Sequence, residues 1–450
     1  MRPTVMLVVG VRGIAVAHLC GSLDGWADVV VATTRETLSR RPDGPDIARR
    51  DGVLVSEGQR GLVASAVRYA SHGRVDGVVT VSEDVITPTA QIAAQIDLPG
   101  LPPAAMPALC DKIEQRRALR AAGVPVPTFA RVTSADPVEV ERALEVVDLP
   151  AVLKPTRASG GALTYPCPTP QRVREALGEA FSQRAGARGA VAADSTYVLE
   201  SLLVGVPRHP VRGFAPYVSV ETLAENGTYH HLAVTDRFPL APPALETGMM
   251  LPSCLADADQ DEVRDTASVA LSALDFTHGV AHTEVMLTAD GPRVIEVNAR
   301  VGGALPYLFP MVGSVDVVEQ AARLALGLPV AQRADFTGHA VFLGPRHRIG
   351  ATLEAVDGVA DLMALPGVQA AMPVEVARSG RRVIGFDNSL IAAVLATVPD
   401  PAAAVALWRR VMNTVRPRYI EPADAPETVS AAALSVPPQS GSSRLSQELS

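Results

Sequence analysis

Two apolar runs, HTEVMLT from His282 and PRVIEVNAR from Pro292, flank Ala289-Asp290-Gly291. Aliphatic and β-branched residues on either side of Asp-Gly call for an antiparallel hairpin, and side chains along a strand alternate between its two faces. With 289–291 as a three-residue loop and Gly291 left-handed, Thr288 faces Pro292 and Glu284 lies opposite Glu296. Asn298 and Arg300 then share the face of Glu296, and His282 shares that of Glu284. Like charges directly opposed weaken a sheet, so something positive belongs between them. Two carboxylates and an amide are hard oxygen donors. Glu284, Glu296 and Asn298 are therefore expected to hold Mg²⁺, or Mn²⁺, against nucleotide phosphates. The competing reading is a solvent-facing strand with its polar residues turned outward.

The hairpin sits in a chain too long for one core. At 450 residues, two to four domains are expected. Hydrophobic residues make up 48% and charged residues 20% with both signs interspersed, the composition of a soluble globular protein. Net charge is −8 with no Lys/Arg block, which argues against nucleic acid as a partner. Cys20, Cys110, Cys167 and Cys254 form no CxxC pair, so a reduced cytoplasmic setting without structural zinc is expected. Arg12 interrupts TVMLVVG soon after it starts, which suits a buried strand better than a secretory leader. No run approaches the roughly 18 apolar residues of a membrane span.

Along the chain, TVMLVVG, WADVVVAT, GVLVS and VDGVVTVS alternate with helical patterns and predict an open parallel sheet. The Gly10/Gly13 turn after the first strand suits tight packing, with a phosphate at a helix N-terminus as the alternative. DKIEQRRALRAAG reads as a helix closed by Gly123. LPAVLKPT and TYVLESLLVG read as strands around the helix QRVREALGEAFSQR, and VSVETL and TYHHLAVTD as a pair joined by AENG. DEVRDTASVALSAL and AAAVALWRRVMNTV are further helices. From Glu421 the chain is poor in large apolar residues, and a disordered tail is expected.

A hairpin-bound metal needs partners for the phosphates. Lys154 ends a strand before the small-residue loop Arg157-Ala158-Ser159-Gly160-Gly161, whose backbone N–H groups can approach a phosphate while the lysine supplies a point charge. No G-K-[ST] is present, so this is not a Walker A loop. Lys112 opens the helix after Asp111 and offers a second charge, or else a solvated helix position.

In this order, DKIEQRRALRAAGVPVP, LPAVLKPTRASGG, YVLESLLVG and HTEVMLTADGPRVIEVNARVGG resemble the ATP-grasp superfamily, from the first strand to about residue 420. The resemblance implies a mixed α/β and α+β protein. Its parts would be an N-terminal open parallel α/β domain (1–108), a two-lobed ATP-grasp core (109–330, lid about 125–200) and a small C-terminal α+β lobe (331–420), with the tail at 421–450. It also implies roles. Lys112 and Lys154 would bind ATP phosphates under a loop of Ser159, Gly160 and Gly161. The hinge Glu200, Ser201, Leu202 and Leu203 would meet the adenine. Glu284, Glu296 and Asn298 would hold two ions, and Arg300 would face the reacting carboxylate or phosphate.

Val301-Gly302-Gly303 stands where biotin-carboxylase-type members continue Q-V-E-H, and the T-x-P-G of D-alanine ligases is absent. N-A-R-x-G-G, H-T-E and ETGMMLPS (Glu246 to Ser253) are most similar to the amino acid ligases, including the bacilysin-forming dipeptide synthases. The function this implies is an ATP-dependent carboxylate–amine ligase working through an acyl phosphate on small-molecule carboxylate and amine substrates, with a homodimer possible. His282 would position the amine or support the metal ligands, or be a satisfied buried histidine. Gly302 and Gly303 would bring backbone N–H groups to the acyl oxygen, or form a turn into the next helix. The usual G-x-E acid near the ribose is missing after Gly205, and Glu221 is a candidate to replace it. A biotin-carboxylase-like reaction and a non-catalytic nucleotide-binding module are the alternatives.

Overall fold

The computed structural model describes residues 2–158, 161–183, 191–192, 194–374 and 389–420. Thr4–Val8, Asp28–Thr34, Val53–Ser56 and Gly77–Val79 form a parallel sheet in which the first strand lies between the second and the fourth. Three lie within runs the sequence marks as strands, and the second extends one residue past WADVVVAT, to Thr34. Val5, Leu7, Leu19 and Leu23 fill one face, joined by Val318 and Ala322 of the helix Val317–Ala325, so this sheet is packed onto the rest of the chain. TVMLVVG is thus a buried central strand.

A second sheet has eight antiparallel strands and runs through the middle of the protein. Its order in space is Gly291–Asn298, Gly279–Thr288, Tyr217–Glu225, Thr228–Arg237, Gly248–Leu251, His339–Leu343, Ala392–Val398 and Val368–Pro373. Asn226 and Gly227, both at positive φ, turn the chain between the third and fourth of these strands, as Asn-Gly does in tight hairpins. One face is sealed by two helices. Asp257–Ala273 covers Val218, Val220, Val234 and Val285, while Pro401–Thr414 covers Met250, Val341, Val394 and Ala396. The expected C-terminal lobe is not separate in its hydrogen bonding. Strands 339–343, 368–373 and 392–398 extend the central sheet, and among the described residues Thr352–Asp357 and Arg416–Ile420 pair by themselves.

A third sheet, also antiparallel, contains Phe129–Val132, Tyr197–Ser201, Ala151–Pro155 and Tyr165–Cys167 in that order, backed by helices Pro137–Val146 and Pro170–Gln183. The helix Lys112–Ala121 links it to the central sheet. Asp111 caps this helix by accepting from the N–H groups of Ile113 and Glu114, and Gly123 at φ +76 ends it. Gln115 donates to Val297 O and accepts from Val297 N, both at 2.9 Å, which satisfies the outer edge of strand 291–298. Residues 421–450, where the sequence predicts a tail, lie outside the described residues.

Candidate active site

One cavity of about 710 Å³ lies between the three sheets. Its position follows from the alternation along strand 279–288: Thr283, Val285 and Leu287 turn toward the covering helix, and His282, Glu284 and Met286 line the cavity or its floor. Glu284 pairs with Glu296 as expected, but by another route. The turn has two residues, with Thr288 opposite Gly291 and Leu287 opposite Pro292, one step short of the expected register. A bulge at Ile295 restores the missing step. It also turns both Ile295 and Glu296 toward the cavity. Asn298, opposite His282, lines the same wall.

The acids are not unpartnered. Lys112 Nζ donates to Glu296 at 2.6 Å and to Ala158 O at 3.0 Å. Burial disfavours the charged ammonium, but Glu296 outweighs this and raises the Lys112 pKa. Lys154 Nζ stands 2.5 Å from Glu200, which also takes Arg116 Nε at 3.0 Å and Nη2 at 3.3 Å. Burial would raise the Glu200 pKa, yet Arg116 and Lys154 pull it down to about 2. The Glu200 carboxylate therefore orients the lysine, a role beyond the backbone hinge the sequence suggests. Within that hinge, Ser201, Leu202 and Leu203 line the cavity, and Leu202 N donates to Pro150 O. Gly161 lines it too, at φ +72. Ser159 and Gly160 lie outside the described residues.

Behind Glu284 is a buried chain of charge. His282 Nδ1 is 2.7 Å from Glu221, and its Nε2 is 2.9 Å from Arg237 Nη2 and 3.5 Å from Glu284. Burial opposes protonation of the imidazole, but Glu221 and Glu284 outweigh it and push its pKa up to about 9. The Arg237 contact pulls the other way, because it asks for a lone pair on Nε2. Burial would likewise raise Glu284, while His282, Arg237 and Arg300 hold it down to about 2. Glu221 is only 1% exposed and sits beneath His282, so it cannot serve the ribose contact considered for it. His282 stands behind the Glu284–Asn298 wall, at 3% exposure.

Arg300 leaves the strand and meets Glu83, from the N-terminal α/β region, at 2.7 Å. Of the two glycines that follow, Gly303 lines the cavity. A Cβ on Gly302 would lie 2.4 Å from His282 Nδ1, so Gly302 packs onto the imidazole and does not appear on the cavity wall. The Gly10 turn is used for packing: a Cβ there would meet Asp84 at 2.1 Å, although Arg12 and Gly13 do line the cavity.

Sequence reasoning missed Arg237, which is 1% exposed and donates to Glu246 at 2.7 Å and Ser219 at 3.0 Å. It is the last residue of a strand whose partners lie 18 positions back and nine ahead, and no local pattern announces that. Glu83 was missed for the same reason. Glu246 stands within a quoted motif, but no role could be read for it.

Glu284, Glu296 and the Asn298 amide offer only oxygen to a cation, and the two carboxylates are 23% and 21% exposed. That donor chemistry fits a hard divalent ion that keeps other ligands from phosphate or water. Among the described residues no group of three or more His, Cys, Asp and Glu could hold a metal unaided.

No family model matches the chain. It is 27% identical over 359 residues to an uncharacterised protein of Sinorhizobium fredii, covering 79% of this chain and 70% of that one. It is 26% identical over 280 residues to the alanine–anticapsin ligase of Bacillus subtilis, which covers 61% of this chain but only 58% of the ligase. Among solved structures, an L-amino acid ligase from Bacillus licheniformis superposes with a TM-score of 0.72 at 19% identity, covering 93% of this chain and 99% of that one.

Proposed function

The chain has the ATP-grasp fold and is most like the amino acid ligases of that superfamily, and we propose that it is an ATP-dependent carboxylate–amine ligase. The products would be an amide or peptide, ADP and phosphate, and the substrates amino acids or similar small metabolites. What supports this most directly is convergence. Lys112, Lys154, Glu284, Glu296, Asn298 and Arg300 come from four separate stretches of chain and line one cavity.

Each residue has work in such a reaction. Lys112 and Lys154, which rest on Glu296 and Glu200, would exchange those partners for ATP phosphate oxygens. Glu296 and Glu284, with Asn298, would hold Mg²⁺ or Mn²⁺, which when bound neutralises the phosphates and favours transfer. The hinge from Glu200 to Leu203 would receive the adenine. Arg300, kept in place by Glu83, would grip the substrate carboxylate bidentately, overcoming its repulsion from the γ-phosphate.

A carboxylate oxygen then attacks the γ-phosphorus as the bond to the ADP oxygen breaks, giving an acyl phosphate. The amine nitrogen attacks the acyl carbon, phosphate leaves, and the nitrogen loses a proton. Arg237 and Gly303 line the same cavity, and the guanidinium and the Gly303 backbone N–H would meet the negative charge that collects on the acyl oxygen.

Hydroxylamine trapping tests this reading. Incubation with ATP, Mg²⁺ and a panel of amino acids should yield a hydroxamate and stoichiometric ADP for at least one carboxylate. Bicarbonate-dependent ADP release without any hydroxamate would point to the carboxylase alternative. Nucleotide binding without ADP release would point to a non-catalytic module.

A further inference from the structure

The helix Lys112–Ala121 carries Lys112, Gln115 and Arg116 at positions i, i+3 and i+4, which share one helix face. All three meet strand 291–298, and they meet it at consecutive residues. Arg116 Nη2 donates to Ile295 O at 2.5 Å, and Lys112 Nζ to the Glu296 carboxylate at 2.6 Å. Gln115 pairs with both backbone groups of Val297 at 2.9 Å. Glu296 is thus gripped at its side chain and through the backbone on either side of it. Arg116 and Gln115 are 1% and 3% exposed, so these bonds are their substitute for water.

Arg116 does the most with its position. Ile295 is the residue that the bulge leaves without a cross-strand partner, and strand 291–298 is the edge of the central sheet. A shielded carbonyl there needs a donor from outside the ladder. Arg116 supplies it and turns the same planar fork to Glu200, through Nε at 3.0 Å and Nη2 at 3.3 Å. Glu200 in turn holds Lys154. One path of hydrogen bonds and charge therefore joins the bulge that aims Glu296 to the lysine on the nucleotide side. Arg116 itself is not among the residues lining the cavity.

Resting on the ligase reading, we propose that Arg116 is a positioning residue that fixes Glu296 relative to Lys154 by holding the bulge carbonyl and the Glu200 carboxylate with one guanidinium. It acts through those partners and touches neither nucleotide nor substrate. Phosphoryl transfer needs the ion on Glu296 and the Lys154 ammonium on the same triphosphate, and a rigid spacer keeps both aimed before the nucleotide arrives. A lysine in its place would keep a positive charge beside Glu200. It would also exchange a planar fork for a single ammonium, which does not hold carboxylate and carbonyl in one fixed geometry.

Binding measurements on the full chain test this without turnover. Calorimetry should show Mn²⁺ tightening ADP binding to the wild type. In Arg116→Lys that tightening should shrink about fivefold or more, while ADP affinity in EDTA stays within about threefold, because the nucleotide contacts remain and the aim of Glu296 is lost. Ile113→Ala controls for lost packing. Ile113 lies on the same helix but packs on Phe129 and Val198, so this variant should lower the Tm and leave the Mn²⁺ effect within about twofold. Should Arg116→Lys not fold, Arg116→Met combined with Glu200→Gln removes both charges together and should lose the Mn²⁺ effect as well. An undiminished Mn²⁺ effect in the folded Arg116 variant, an equal loss in Ile113→Ala, a matching loss of ADP affinity for Arg116→Lys in EDTA, or a wild type whose ADP binding ignores Mn²⁺ would overturn the assignment. The expected pattern without any hydroxamate would support the role of Arg116 and count against the ligase chemistry alone.

Discussion

Glu284 and Glu296 face each other across two strands although the turn between them is one residue too short for that pairing; the bulge at Ile295 makes up the difference. A register slip of one residue would turn Glu296 to the opposite face, so the bulge is what keeps both acids in one cavity. Glu296→Gln keeps the shape and removes the charge. ADP formation is expected to fall at least a hundredfold, with the folded state retained by circular dichroism. An ADP release rate matching the parent protein would remove Glu296 from the metal site.

Arg300 is held by Glu83, and in the proposed reaction it serves the substrate carboxylate while Lys112 and Lys154 serve the nucleotide. Arg300→Ala should therefore leave the ATP dissociation constant within about threefold, measured by a fluorescent analogue, while carboxylate-dependent turnover drops by two orders of magnitude or more. Equal losses in both would mean that Arg300 serves the nucleotide.

The Glu200 carboxylate carries a pH signature. Its pKa is about 2 in the folded protein, against an ordinary 4.5, so the folded state binds this proton less readily than the unfolded chain. The resulting stability is complete above about pH 4.5 and disappears as pH falls toward 2. By linkage it is on the order of 3 kcal/mol. Glu200→Gln should melt lower than wild type at pH 7, and the gap should narrow on acidification to pH 3. A gap that stays constant across that range would deny the pairing with Arg116 and Lys154.

Gly302 has no room for a side chain, since an added Cβ would meet the His282 ring at 2.4 Å. Gly302→Ala should destabilise the protein by about 1–3 kcal/mol through overpacking, seen in denaturant midpoints. Gly303→Ala, whose Cβ would approach only Met249 Cε at 4.0 Å, should cost far less stability. Similar midpoints for the two variants would contradict the packing described.

Local sequence determined a good deal. The four parallel strands, the Asp111-capped helix, the Asn226-Gly227 turn and the acid–hairpin–acid arrangement follow from side-chain period and turn chemistry, which act over a few residues. Tertiary structure decided what depended on distant partners. It brought Arg237 to the cavity and Glu83 to Arg300, placed Glu221 under His282, joined the C-terminal strands to the central sheet, and laid Met249, Phe342 and Leu395 side by side. Those relations connect residues as many as 217 positions apart. Strand order and sheet closure set them, and no periodicity along the chain records which strand will lie beside which.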